Sequence, residues 1–310
     1  MEIEYQWRRS EDDVVTEPYV EDEKAIRGRV ASSLAPIAIS SPSRRPPLIQ
    51  MEERMAAAGT GSGRARGCVF AVWLHGLGDC GPANEFIAGH FSAAAFSDTR
   101  WAFPTAPTAP VTCNRGMLMP SWFDIHDAPI TSKSVRDEED VLRDVQIVHT
   151  MIDNEIAAGT NPEDVFVFGL SQGGALSIAS VLLYPKTLGD CAVFSGFLPF
   201  NSSFAARVTD QAKKTPVLWI HGGADSLIPI QEGRDGVKFL RGLGMTCEFK
   251  AYDRLGHTLA PLELEYCERW ASEDILKNLN EHREGQEPKK GRLGLSGSKL
   301  FRGVFSCFSK

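Results

Sequence analysis

Serine, aspartate and histidine occur in this chain where a hydroxyl can be turned into a nucleophile. Ser171 sits in Gly169-Leu170-Ser171-Gln172-Gly173-Gly174, directly after the apolar run from Val165 to Phe168. Small residues at 169 and 173 let the backbone reverse sharply enough to lift the hydroxyl clear of a strand end, and a helix start behind it favours negative charge. A serine hydroxyl is a weak nucleophile until a base takes its proton, so an acid and then a histidine are expected further along. Asp225 follows the run Val217–Gly222, and His257 follows Cys247–Tyr252. The order Ser171, Asp225, His257 predicts acyl transfer through a covalent serine intermediate. Asp253, four residues before His257 on the same loop, is a rival acid. Taken alone, Ser171 could cap a helix and Asp225 could simply turn the chain. The three in series outweigh those readings.

Acyl transfer also needs donors for an oxyanion, normally the N–H after the nucleophile and one from the loop after an early strand. Gln172 supplies the first. The turn His75-Gly76-Leu77-Gly78-Asp79 places Leu77 N–H as the second, each donor being worth about 3 kcal/mol in the transition state. Gly76, Gly78 and Gly81 also spell a dinucleotide-binding fingerprint, but that reading wants an acidic residue where Arg100–Pro104 ends in proline. It also leaves the serine, aspartate and histidine unexplained. The elbow lacks the lysine of a phosphate-binding loop. His75 and His221, each before a glycine at a strand end, read as structural.

These residues must be positioned by a scaffold of alternating elements. Short apolar runs at 68–74, 100–104, 165–170, 191–196, 217–222 and 247–252 predict strands covered on both faces. Helical spacing runs from about Glu138 to Ala158, and further helices are expected from near Gln172, Gln231 and Pro261. The alternation implies an α/β protein, one open and mostly parallel sheet with helices on both faces, whose ligand site lies beyond the carboxyl ends of the strands. The chain has 310 residues, net charge -7, 43% hydrophobic and 24% charged residues, the balance of an ordinary globular protein. Scattered Lys and Arg leave no footprint for nucleic acid. Seven cysteines, odd in number and without a CxxC pair, encode neither a disulfide framework nor a zinc site and fit a reducing, cytoplasmic compartment. Residues 1–66, acidic and then rich in Ser, Pro, Gly and Arg, are expected to be a disordered extension; 67–280 form the folded domain. Residues 281–310 form a flexible basic tail, whose Leu300, Phe301, Val304, Phe305 and Phe308 around Cys307 allow weak membrane attachment.

With HGLGD, PVTCNRGMLMPSWFDI, GLSQGGALS, SGFLPF, HGGAD and GLGH in this order, the chain resembles the acyl-protein thioesterase and carboxylesterase branch of the α/β-hydrolases, plant-type members most of all. The resemblance covers about residues 67–279. It implies the α/β-hydrolase fold, with the family's triad on Ser171, Asp225 and His257 and its oxyanion amides on Leu77 and Gln172. It further implies hydrolysis of acyl esters or thioesters, acylated protein cysteines included, with no metal or cofactor. Preference among such substrates depends on a loop over the acyl pocket, expected at 107–136. There Met117, Leu118, Met119, Trp122 and Phe123 are soft and apolar. Trp122 and Met119 are the candidates to line an acyl channel; equally, Trp122 and Phe123 could anchor the loop to the core.

Overall fold

Val165-Phe-Val-Phe and Val217-Leu-Trp-Ile are runs of β-branched and aromatic residues without a turn former, and every one of these side chains is buried. The computed structural model describes residues 69–200 and 202–284, without the side chains of 202, 203, 274 and 276–284. The expected extension at 1–66, residues 285–310 of the tail expected at 281–310, and with them Cys307, lie outside the described residues. Strands β1 (Phe70–Leu74), β2 (Arg100–Ala102), β3 (Thr108–Val111), β4 (Met117–Pro120), β5 (Val165–Leu170), β6 (Asp190–Phe194), β7 (Val217–Gly222) and β8 (Cys247–Tyr252) alternate with four helices. These are α1 (Glu138–Ala157), α2 (Gln172–Leu183), α3 (Ile230–Gly242) and α4 (Pro261–Glu284). The last continues across the residue where the tail was expected to begin.

Six strands pair in parallel in the order β2-β1-β5-β6-β7-β8. Period-two alternation divides their side chains between two cores. Val165 and Val167 of β5 join Leu74, Val217 and Trp219 under α1, α2 and α3. Phe166 and Phe168 join Trp73, Leu218 and Ile220 under α4 and the 3-10 helix Pro82–His90. Helix α2 is buried from Gln172 to Leu182, which is why its sequence is apolar all round rather than striped. The half-buried α1 instead starts with an Asp137 side-chain cap on Glu139 N–H and three acidic residues in its first turn, both suited to a helix N-terminus.

From β1 the chain steps outward to β2 and then returns to place β5 on the other side of β1. The carboxyl ends of β1 and β5 therefore flank the switch point at which such sheets bind ligands. The expected loop at 107–136 contains an antiparallel ribbon, β3 with β4, that periodicity did not reveal. Pro107, Pro110 and Pro120 hid it: proline reads as a strand breaker, yet a two-stranded ribbon has outer edges where its missing N–H costs nothing.

The packing of α2 against β1 makes a sharp stability test. A Cβ on Gly173 would lie 2.0 Å from the Leu74 carbonyl oxygen, so Gly173→Ala is expected to cost about 3 kcal/mol in denaturant unfolding. Gly242→Ala meets open space and is expected to be neutral or to stabilise by about 0.5 kcal/mol.

Candidate active site

The hydroxyl is presented by a strained turn. β5 ends at Leu170 and α2 begins at Gln172, so Ser171 alone reverses the chain, at φ 59° and ψ -120°. A residue with a side chain holds that conformation only when its surroundings enforce it. Ser171 N–H is donated to Phe194 C=O at 2.8 Å, and Ser171 C=O accepts from Ala175 N–H at 3.0 Å. The missing side chain at Gly169 completes the enforcement, because a Cβ there would sit 2.5 Å from the Gly173 carbonyl carbon.

The structure brings the three sequence-selected residues into one line. His257 Nε2 lies 2.9 Å from Ser171 Oγ, and His257 Nδ1 lies 2.7 Å from Asp225 Oδ2. Asp225 is buried, and its other oxygen accepts from Leu227 N–H at 2.9 Å and Ile228 N–H at 2.8 Å. Burial alone would raise its carboxyl. The hydrogen bond from His257, aided by the two amides and the imidazole's charge, outweighs that and holds it below the ordinary value. An ionised Asp225 selects the tautomer with hydrogen on Nδ1, which leaves the Nε2 lone pair facing the serine hydroxyl. Asp253 is exposed in the turn after β8 and takes no part in this line.

The two candidate oxyanion amides flank the serine. Gln172 is the first residue of α2, where a helix has no partner of its own for the N–H. Leu77 sits in a turn fixed by Gly78 N–H to Pro120 C=O at 2.9 Å and Asp79 N–H to Gly76 C=O at 3.2 Å. The turn lies beside Ser171: a Cβ on Gly76 would lie 3.4 Å from Ser171 Cβ and 3.9 Å from its Oγ.

A role for the Gln172 side chain was not legible beforehand. Its oxygen accepts from Trp122 N–H at 3.0 Å; its nitrogen donates to Phe123 C=O at 2.7 Å and Ser121 Oγ at 3.1 Å. The same residue that offers an amide to the site thus straps the 121–123 segment down. Trp122, proposed from sequence as a channel wall, is 0% exposed and donates its indole N–H to His75 C=O at 2.9 Å. It presents no accessible surface and is tied to the His75–Asp79 turn, the anchoring alternative. Met119 packs on the Gly78 turn, its sulfur 3.6 Å from where a Cβ on Gly78 would stand, and Leu118 beside it is 66% exposed.

His75 and His221 are struts. Ala106 N–H donates to His75 Nε2 at 3.0 Å, so Nδ1 carries the hydrogen and donates to Gly76 C=O at 2.7 Å. His221 Nε2 donates to Ile228 C=O at 2.9 Å. Burial lowers the basicity of both, which suits neutral rings. Among the described residues no group of three or more His, Cys, Asp or Glu side chains could hold a metal ion.

Residues 61–272 match the model of the phospholipase/carboxylesterase family. A protein named probable inactive carboxylesterase from Oryza sativa subsp. japonica is 78% identical over 239 residues, 77% of this chain and 92% of its own. The crystal structure of Arabidopsis thaliana SOBER1, a carboxylesterase by name, superposes with a TM-score of 0.66 at 53% identity, over 68% of this chain and 100% of that one. Acyl-protein thioesterase 1 from Schizosaccharomyces pombe is 35% identical over 190 residues, 61% of this chain and 83% of its own.

The strap can be cut without touching the backbone donor. Gln172→Leu keeps the main-chain amide but removes the side-chain acceptor of Trp122 N–H and one of the two donors to Phe123 C=O, and is expected to lose about 2 kcal/mol of stability in a urea titration. If the strap also aligns the oxyanion turn, kcat for a soluble acyl ester falls while KM changes little.

Proposed function

The chain belongs to the phospholipase/carboxylesterase family and is a carboxylic ester or thioester hydrolase; from that premise we propose that it works through an acyl-enzyme on Ser171. The observation that carries this reading is the hydrogen-bonded line from Asp225 through His257 to Ser171, at 2.7 and 2.9 Å. His257 Nε2 takes the Ser171 proton as Oγ attacks the acyl carbon, and Asp225 holds the imidazole and stabilises the imidazolium. The oxyanion is held by Leu77 and Gln172 N–H groups. Collapse expels the alcohol or thiol, protonated by His257. A water molecule, deprotonated by the same nitrogen, then attacks the acyl-serine, releasing the carboxylic acid and restoring the hydroxyl.

Substrates on this reading are S-acylated proteins or small acyl esters. The names of the relatives support both, since one is called a carboxylesterase and another an acyl-protein thioesterase. No helix among the described residues is long and apolar enough to cross a membrane. A second reading has one observation in its favour: a relative sharing 78% of aligned residues is named probable inactive. On it, the same shell would be an idle receptor or lipid-binding module. The retained Ser171, Asp225 and His257, in hydrogen-bonding reach of one another, favour turnover.

A fluorophosphonate probe separates the two. Labelling at Ser171 is expected in the wild type, and Ser171→Ala is expected to lower kcat by at least about 10⁴-fold while leaving the fold intact. An unlabelled wild type would support the idle reading. A series of esters and thioesters from acetyl to palmitoyl, run on wild type and Met119→Ala, is expected to show a chain-length preference that the variant alters. A flat response in both would remove Met119 from substrate recognition.

A further inference from the structure

A buried carboxyl lies on the segment that carries the imidazole, outside the line of three side chains. α4 begins at Pro261, where the N–H that proline lacks would be unpaired anyway. Two residues on, Glu263 turns back: its Oε2 accepts from Ala260 N–H at 2.8 Å, and Ala260 C=O accepts from Glu263 N–H at 3.0 Å. This is half of a capping box, with alanine in place of serine or threonine. A glutamate acting only as a cap needs no burial and stays ionised in water at the positive end of the helix. Glu263 instead is 0% exposed, and its Oε1 has no hydrogen-bond partner among the described residues.

Its place in the chain gives that burial a consequence. Only Thr258 and Leu259 separate His257 from Ala260, so Oε2 fixes the far end of the span on which the imidazole rides. The near end is tied to the Asp225 loop by Ala224 N–H donated to Leu255 C=O at 2.9 Å. Asp225 faces the carboxyl from the loop after β7. Tyr252 faces it from the end of β8, its hydroxyl donated to Leu262 C=O at 3.3 Å. Further along α4, Tyr266 is bonded to Glu248 and Glu268 to Ala93 N–H.

We propose that Glu263 is a positioning residue for hydrolysis: through Ala260 N–H it holds the His257 span in register with Ser171, and through its free oxygen it sets the charge that faces Asp225. The inference rests on the reading of Ser171, Asp225 and His257 given above. Burial pushes Glu263 up to about 7, with Ala260 N–H opposing and Asp225 adding to the rise. Near neutrality it passes between a neutral acid and a second anion beside Asp225.

The test compares Glu263→Gln, a neutral isostere that can still accept from Ala260, with Glu263→Ala, which cannot. The folded-state value lies above the ordinary 4.5, so the stability tied to this group is full below that pH and is lost as pH rises through about 7. The Gln variant is therefore expected to match the wild-type Tm below about pH 4.5 and to exceed it above pH 7. Glu263→Ala lowers kcat by about tenfold with little change in KM, and Gln restores most of that loss. Wild-type kcat in the Ala variant, or melting temperatures of wild type and the Gln variant that run parallel across pH, would overturn the proposal. A wild type that neither turns over nor labels at Ser171 sinks the triad reading and this inference with it. A working serine indifferent to Glu263→Ala sinks this inference alone.

Discussion

The close approach of the first turn of α2 to the ends of β1 and β5 is the constraint on which the site depends. Glycine at 173 lets the helix sit against the Leu74 carbonyl, and glycine at 169 lets the strand pass beneath it. That contact leaves one residue to turn the chain and holds Ser171 at a positive φ it would not adopt alone. The Gly76 turn lies so near the serine that a Cβ there would be in contact with it. Ser171 and the two candidate oxyanion amides are thus positioned by backbone packing.

Around this backbone, buried ionisable groups fall into two kinds. His75 and His221 are kept neutral by burial and act as hydrogen-bonding struts between loops. Asp225 is kept charged by the imidazole and two amides, although burial works against it. Neutral struts place no competing positive charge beside the carboxylate. Glu263 stands between the two kinds, capped on one oxygen and free on the other.

Much of this was legible because the informative residues act through local rules. Continuous apolar runs located all six strands of the main sheet to within a few residues, and Glu138–Ala157 matched its helical stripe closely. Ser171, Asp225 and His257 could be selected because each follows a strand, so the fold's own rule supplied the proximity that sequence distance hides. The ribbon at 108–120 was missed because its prolines mimic a loop and its stability comes from cross-strand pairing and contact with the oxyanion turn. Trp122 and Gln172 show a different limit. An aromatic in a long loop and an amide after a serine carry no periodic signal, and their partners lie 47 to 50 residues away. Glu263 was invisible as a buried acid, since glutamate three residues into a helix is ordinarily a surface cap.

The serine hydroxyl itself holds very little of the architecture together. Its hydrogen-bonding contact with the rest of the line is with His257, whereas the elbow is braced by main-chain bonds and glycine contacts. Scaffold and reactivity are therefore separable by mutation. A duplicated copy could drift into silence at this one atom and keep its outline, its rim and whatever it still grips. Within such a lineage, overall likeness is a poor guide to whether a given copy still turns over, and the few atoms at the strand ends are the ones to inspect.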